Sequence, residues 1–353
     1  MNKKNDLNKI RKQIDDIDIK ILSLLNKRAG LARKTTALKK DIVFDPKREK
    51  EIFSKLTSTN TGPIKQKNIK KIYTEILNTC REVQSPTKVA YLGPEGSNTY
   101  EAVLTRFGER TVKANCTTIS EVFQSVQNEN QEYGVVPIEN SLEGPIGETL
   151  DNLIKMSVSI VGEFSKKINH TLLSSEKSLK KIKTIYSHPQ AIAQCKTWLY
   201  KNLPNVTLKE TSSTSEAARI VAKQQGAASI SPMECSNLYS LNILKKSIQD
   251  EKNNSTIFIV IAPEIKEFQI VKNSKLSIAF TLDDRPGSLF KCLKPFRDSR
   301  INLTKIQSRP SKRAQWDYLF FVDILIENKV AQTKEAMNEI KKQTSYFKVL
   351  GVF

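Results

Sequence analysis

Arg28 occupies a place where its surroundings call for leucine or isoleucine. Leu7, Ile10, Ile14, Ile17, Ile21, Leu24, Leu31 and Leu38 recur in steps of three and four, and Arg28 and Thr35 fill the two gaps. A guanidinium on such a seam either fixes register and oligomer state, or faces a cavity and holds an anion. Lys39, about three helical turns on, falls on nearly the same face. Arg11, further back, falls roughly 100° away, a poor aim at the same cavity within one chain, where an antiparallel second chain could supply it. Arg48 and Glu49 open a following helix beside Asp45, and Gln84 points inward from a third. Several fixed cations, one amide and one carboxylate suit a small dianion that needs positioning and electrostatic support, not covalent chemistry.

Two further clusters stand at the ends of apolar runs. Val136-Pro137-Ile138-Glu139-Asn140-Ser141 and Tyr186-Ser187-His188-Pro189-Gln190, with Gln194 one turn on, each leave a strand with polar residues that a core does not require. Strand ends and the helix starts after them are where α/β folds bind ligands. Gly93-Pro94-Glu95-Gly96-Ser97 is an anion loop or an ordinary tight turn. His188, set within Ser-His-Pro-Gln, reads as structural.

The elements that must position these residues fall into three regimes. Residues 1–85 read as three helices. The first exceeds 30 residues and carries a narrow seam that needs other helices or a second chain. The second starts at Asp45-Pro46, an N-cap followed by a residue suited to the first helical position. The third bears Ile69, Ile72, Ile76 and Cys80. Residues 86–270 alternate strand and helix, with strands at 88–92, 133–136, 158–162, 182–186, 227–230 and 257–261 and helices at 117–129, 190–201 and 213–224. This predicts α/β architecture with largely parallel sheets, as one domain or as two lobes around a cleft. Residues 271–353 read strand, helix, strand, strand, helix, strand, the order of an α+β ferredoxin-like fold.

Composition removes other classes. The 353 residues carry 57 Lys and Arg against 37 Asp and Glu, a formal net charge of +20. Only 13 of the basic residues are Arg, and the lysines are spread over polar helix faces, which reads as surface rather than a nucleic-acid module. The longest apolar run, Ile257–Ala262, is far short of the ~20 residues of a membrane helix. No apolar stretch follows the charged N-terminus, which argues against a secretory signal. Cys80, Cys116, Cys195, Cys235 and Cys292 are scattered, as in a reducing, cytoplasmic compartment. Two histidines, His170 and His188, make a His-based metal centre improbable, so no metal is expected.

The pattern Ile10-Arg11-Lys12-Gln13-Ile14-Asp15, Arg28, Lys39, Asp45-Pro46-Lys47-Arg48-Glu49 and Gln84 resembles an AroQ-class chorismate mutase, an all-α domain whose dimer swaps the long first helix. The resemblance implies that Arg11 of the partner subunit, Arg28 and Arg48 hold carboxylates of chorismate. It puts Lys39 and Gln84 at the ether oxygen, and Asp45 and Glu49 at the substrate hydroxyl. Cys80 replaces a frequent serine beside the substrate. Residues 88–262, with Gly226-Ala227-Ala228-Ser229-Ile230 and Ile248-Gln249-Asp250, resemble prephenate dehydratase, a two-lobed periplasmic-binding-like enzyme that uses no cofactor. This resemblance assigns the hydroxyl chemistry to Thr256, with Glu139, Asn140, Ser187 and Gln194 around prephenate. Two departures stand out. The family's Thr-Arg-Phe reads Thr256-Ile257-Phe258, and Tyr-Gly-Leu reads Tyr239-Ser240-Leu241. An arginine bound to the anionic substrate or bracing the threonine loop is worth about 1.5–3 kcal/mol. On that ground an impaired dehydratase, or a non-catalytic amino-acid-binding regulator, stands as the alternative. Arg285-Pro286-Gly287-Ser288-Leu289 and Asn302-Leu303-Thr304-Lys305-Ile306-Gln307-Ser308-Arg309-Pro310 resemble an ACT regulatory domain. That resemblance implies phenylalanine bound between paired copies near Gly287, Ser288, Leu289, Gln307, Ser308, Arg309 and Pro310, with Gln307 in place of the usual glutamate. The expected whole is a homodimer or higher homo-oligomer, without nucleic-acid or membrane partners.

Overall fold

A computed structural model describes residues 3–38, 46–84, 87–310 and 318–353. By contacts it divides into two units, Met1–Lys88 with Leu104–Val112, and Val89–Val103 with Lys113–Phe353. Lys39 and Asp45 lie outside the described residues, as do the side chain of Gln84 and the segment 311–317.

In the first unit the three-and-four periodicity produces one long helix, α1 (Lys3–Leu38), followed by α2 (Pro46–Thr59) and α3 (Gln66–Gln84). Helix α3 buries Ile69, Leu77 and Cys80, while Ile72 stays exposed. Leu7, Ile10, Ile14, Ile17, Ile21 and Leu24 on α1 are about half exposed or more. A helix of this length cannot cover its own apolar stripe.

After α3 come β1 (Lys88–Leu92), α4 (Asn98–Phe107), whose last turn belongs to the first unit, then β2 (Val112–Cys116), α5 (Ile119–Gln127), β3 (Tyr133–Asn140), β4 (Gly144–Pro145), α6 (Gly147–Lys155) and β5 (Val158–Lys167) of the second unit. A second lobe follows with β6 (Thr171–Ser174), β7 (Thr184–Ser187), α7 (Pro189–Gln194), α8 (Lys196–Asn202), β8 (Thr207–Glu210), α9 (Thr214–Val221), β9 (Ala227–Ser231), α10 (Glu234–Tyr239) and β10 (Asn242–Lys245). The chain returns through β11 (Ser255–Pro263). It ends in β12 (Ser274–Thr281), α11 (Ser288–Asp298), β13 (Leu303–Pro310), β14 (Tyr318–Ile326), α12 (Val330–Gln343) and β15 (Tyr346–Val352).

The sheets are mixed rather than largely parallel. Strands β1 and β3 pair in parallel, as do β7–β8 and β7–β9, but β11 lies antiparallel between β3 and β5. The return strand after the second lobe must run backwards to close the first lobe, which the alternation of strand and helix does not reveal. The helix expected over 190–201 breaks at Cys195, because the Asp250 carboxylate accepts from the Thr197 and Trp198 amides (2.9 and 3.0 Å) and starts α8 afresh.

The C-terminal segment has the expected βαββαβ order, and its sheet joins that of the first lobe. The ten strands run β13-β14-β12-β15-β5-β11-β3-β1-β2, with β4 beside β3. Gly351 of β15 makes this junction, since a Cβ there would stand 2.2 Å from the Ile160 carbonyl oxygen. One core serves both sides: Phe123, Val136, Leu150, Ile160 and Ile259 cluster with Phe321, Leu350 and Phe353.

Candidate active sites

A cleft of about 420 Å³ lies between the two lobes, where the chain crosses from one to the other. The two crossings hydrogen-bond, Ile168 N–H to the Asn254 carbonyl at 3.0 Å. Its lining includes Asn140, His170, Gln194, Asn254, Thr256 and Phe258, with Ser97–Thr99 and Ser212–Thr214 at the starts of α4 and α9. Among the described residues, none of those lining it is lysine or arginine.

Polarity propagates through this site from one end. The backbone amides of Leu142 and Glu143 can only donate, and both donate to Asn140 Oδ1 (3.0 and 3.3 Å). Asn140 Nδ2 therefore faces inward and donates to Asn254 Oδ1 (3.0 Å) and Thr256 Oγ1 (2.9 Å). Asn254 Nδ2 then donates to Gln194 Oε1 (3.0 Å), which is also 2.8 Å from His170 Nε2. An oxygen acceptor there requires His170 Nε2 to carry the proton, leaving Nδ1 bare. His170 Nδ1 is buried and has no hydrogen-bond partner among the described residues. Burial pushes the His170 imidazole below its ordinary pKa and the Lys166 ammonium adds to this, against the Gln194 hydrogen bond. At the other end, Thr256 Oγ1 accepts from Asn140, so its own proton is left to donate into the cleft.

Asn140, Gln194 and Thr256 thus meet as expected, and Asn254 and His170 join them. Nothing in the sequence singles out His170, since it follows a strand end with no motif around it. Two expected neighbours lie elsewhere. Ser187 is fully buried and donates to the Ile230 carbonyl (2.6 Å), which ties β7 to β9 and leaves it out of the cleft lining. Glu139 faces the opposite side of β3. The β3–β11 register slips at Ile257/Phe258, pairing Glu139 with Ile257 and Pro137 with Phe258, so Ile138 is the extra residue. Such a bulge turns two successive side chains to one face. Ile138 and Glu139 therefore line a separate cavity against the C-terminal segment, with Ile257 and Ile259. Ile257 accordingly lines that cavity and not the cleft. His188 caps α7, its Nδ1 accepting from Gln190 N–H (3.3 Å).

In the helical unit, Arg28 is half buried and its Nη1 lies 2.9 Å from Cys80 Sγ. Arg48 is exposed and pairs with Glu51 (2.9 Å). Glu49 is buried, with its carboxylate taken up by Arg81 and by Arg106 (2.5 Å to Arg106 Nη1). Arg11 is exposed on α1, and seventeen residues of helix put it ~25 Å along the axis from Arg28. In the C-terminal segment, Gly287 caps α11 with φ +84°, ahead of Ser288 and Leu289. Gln307, Ser308, Arg309 and Pro310 end β13, alternately half buried and exposed. Gln307 Oε1 is buried without a hydrogen-bond partner among the described residues.

Comparison with known proteins matches the same three regions. The Chorismate mutase type II family matches residues 10–85, Prephenate dehydratase matches 89–266, and the ACT domain matches 277–342. A bifunctional chorismate mutase/prephenate dehydratase of Aquifex aeolicus is 40% identical over 355 residues, covering 99% of this chain and 98% of the relative. Among solved structures, prephenate dehydratase of Arthrobacter aurescens in complex with L-Phe is similar at TM-score 0.68 and 26% identity, over 75% of this chain and 89% of that one. Prephenate dehydratase of Staphylococcus aureus is similar at TM-score 0.67 and 28% identity, over 76% of this chain and all of that one.

Proposed function

The chain belongs to the bifunctional chorismate mutase/prephenate dehydratase family, and from that premise we propose which residues carry each reaction. The helical domain rearranges chorismate to prephenate, and the central domain dehydrates and decarboxylates prephenate to phenylpyruvate.

In the dehydratase step the ring C–CO₂ bond breaks, its electron pair enters the ring, the C–O pair leaves with the ring hydroxyl, and one proton, passed on through the Thr256 hydroxyl and replaced from solvent, makes that hydroxyl water. Aromatisation supplies the driving force, so the protein's task is to hold the dianion and assist the leaving hydroxyl. Thr256 is the donor to that hydroxyl, aimed by Asn140, whose polarity the Leu142 and Glu143 amides set and Asn254, Gln194 and neutral His170 continue. With no lysine or arginine in the lining, the carboxylates are met by the first-turn amides of α4 and α9 and the hydroxyls there. The observation that carries this reading is the Thr256 hydroxyl, which accepts from Asn140 at 2.9 Å and keeps its proton for the cleft.

In the mutase step, Arg28 and Arg48 hold the carboxylates of chorismate together with Arg11 of a second copy. Lys39 and Gln84 support the ether oxygen, and Asp45, Glu49 and Cys80 complete the site. The ~25 Å between Arg11 and Arg28 on one helix and the exposed isoleucines of α1 support a swapped homodimer. Phenylalanine is the effector of the ACT domain, at Gly287–Leu289 and Gln307–Pro310 of paired copies. Five buried free thiols support a reducing, cytoplasmic setting.

A coupled assay tests the reading. Purified protein given chorismate forms phenylpyruvate, and added phenylalanine slows that formation. Accumulation of prephenate without phenylpyruvate would refute the dehydratase assignment while leaving the mutase intact.

A further inference from the structure

The wall of the dehydratase lobe behind the cleft carries carboxylates, and the C-terminal segment meets them with lysines. Glu139 pairs with Lys305 (2.5 Å), and Glu163 pairs with Lys275 (2.8 Å), which also reaches Asp323 (3.1 Å). These groups rim a cavity of about 280 Å³ floored by Leu150, Ile160, Ile257, Ile259 and Phe321. Ile257 is the direct β11 partner of Glu139 and brings no charge, so the cation beside that carboxylate comes from β13.

Strand β13 makes a second contact four residues on. Arg309 lies 3.5 Å from Asp151, and its guanidinium occupies the space a Cβ on Gly147 would fill, 2.4 Å from Nη1. Gly147 starts α6, directly after Gly144, Pro145 and Ile146 of the cleft lining. The loop that carries Asn140 and Glu143 is therefore held at both ends by one strand of the C-terminal segment: at Glu139 by Lys305 and at Gly147 by Arg309.

We propose that Lys305 is a positioning residue for prephenate dehydration, holding Glu139 so that the adjoining Asn140 keeps the Thr256 hydroxyl aimed into the cleft. The inference rests on reading the cleft as the dehydratase site. Its logic is mechanical. Glu139 and Asn140 are neighbours on opposite faces of a bulged strand, so the setting of one side chain fixes the roll of the other. A charge-assisted bond sets that roll more firmly than the apolar contact Ile257 offers. The same strand carries Gln307, Ser308 and Arg309, so a displacement of β13 reaches Asn140 without any contact to substrate.

The test uses the full-length protein with Lys305→Met, Lys305→Arg and Glu139→Gln, alone and as the Lys305→Met/Glu139→Gln pair. Prephenate turnover is followed as kcat and KM, with chorismate turnover as an internal control. Lys305→Met lowers kcat for prephenate about tenfold while KM moves less than threefold, and Lys305→Arg recovers kcat to within threefold of wild type. The double variant is no slower than Lys305→Met, because the lysine acts through Glu139, and chorismate turnover stays unchanged throughout. A kcat for Lys305→Met within twofold of wild type overturns the inference, as does a loss that Lys305→Arg fails to recover or one shared by chorismate turnover. Wild-type protein unable to turn over prephenate overturns the dehydratase reading and the inference together, so the two failures are told apart by the wild type.

Discussion

Replacing Thr256 by valine removes one hydroxyl and almost nothing else. The side chain is nearly buried and valine has the same shape, so no cavity forms and the cost to the fold is that of the hydroxyl's hydrogen bond. Asn140 Nδ2 loses the 2.9 Å acceptor but keeps Asn254 Oδ1 at 3.0 Å and the Ser255 carbonyl at 3.4 Å. The donor is not stranded, and the fold loses about 1 kcal/mol at most. The reaction loses more. A donor aimed at charge that develops in the transition state contributes roughly 10²–10³ in rate, or ~3–4 kcal/mol. Thr256→Val is therefore expected to lower kcat for phenylpyruvate formation by about 10²–10³, with little change in melting temperature or chorismate consumption. Thr256→Ser retains the hydroxyl and is expected to stay within about tenfold of wild type. The assay is phenylpyruvate absorbance after addition of prephenate, in parallel with a thermal melt. A Thr256→Val protein within tenfold of wild type would refute the claim that this hydroxyl meets the leaving group.

Three other outcomes follow from the same geometry. Burial lowers the His170 pKa below its unfolded reference of 6.5, so the unfolded chain takes up the proton first as pH falls. His170's contribution to stability is thus fully present above pH ~6.5 and is lost as pH falls towards the folded value, and the stability gap between wild type and His170→Asn should vary with pH only in that window, as read by denaturant midpoints. Ser240 caps α10 with φ +53°, a conformation that glycine adopts without strain, so Ser240→Gly should stabilise the protein by about 1 kcal/mol, measured as a raised unfolding midpoint. Ile14→Asp with Ile21→Asp places charges on the exposed α1 stripe and should leave a monomer in sedimentation, with chorismate turnover lost and prephenate turnover largely kept.

The long seam helix, the βαββαβ tail and the strand-end clusters were legible because each writes a period or a local motif into the chain. Asn140, Gln194 and Thr256 are grouped by the resemblance to prephenate dehydratase and not by any period in the chain, since each stands in or beside a segment that carries that resemblance. The short strands β2, β6, β8 and β10 could not be read, because four or five residues such as Val-Lys-Ala-Asn-Cys carry too little alternation. Glu139 was misplaced by a single extra residue, Ile138, whose bulge exists only in the pairing with β11. The resemblance places Ser187 around the substrate, yet its hydroxyl closes a bond to the next strand. Ser240 was visible as a departure from glycine, and only the backbone explains why glycine is favoured there.

Position 257 shows how far one register step alters a functional argument. An isoleucine in place of the arginine of Thr-Arg-Phe suggests a lost substrate contact and a crippled enzyme. Strand alternation turns that side chain away from Thr256 and into the cavity on the other face of the sheet, where Glu139 also lies. What changes instead is the far side of the sheet. With an apolar residue beside Glu139, the carboxylate has Lys305 as its ion-pair partner, and the catalytic strand is tied to the C-terminal segment by that bond. The substitution bears on how the C-terminal segment is connected to Asn140 and Thr256, and an Ile257→Arg variant, by offering Glu139 a second cation, should weaken the hold of Lys305 rather than raise prephenate turnover.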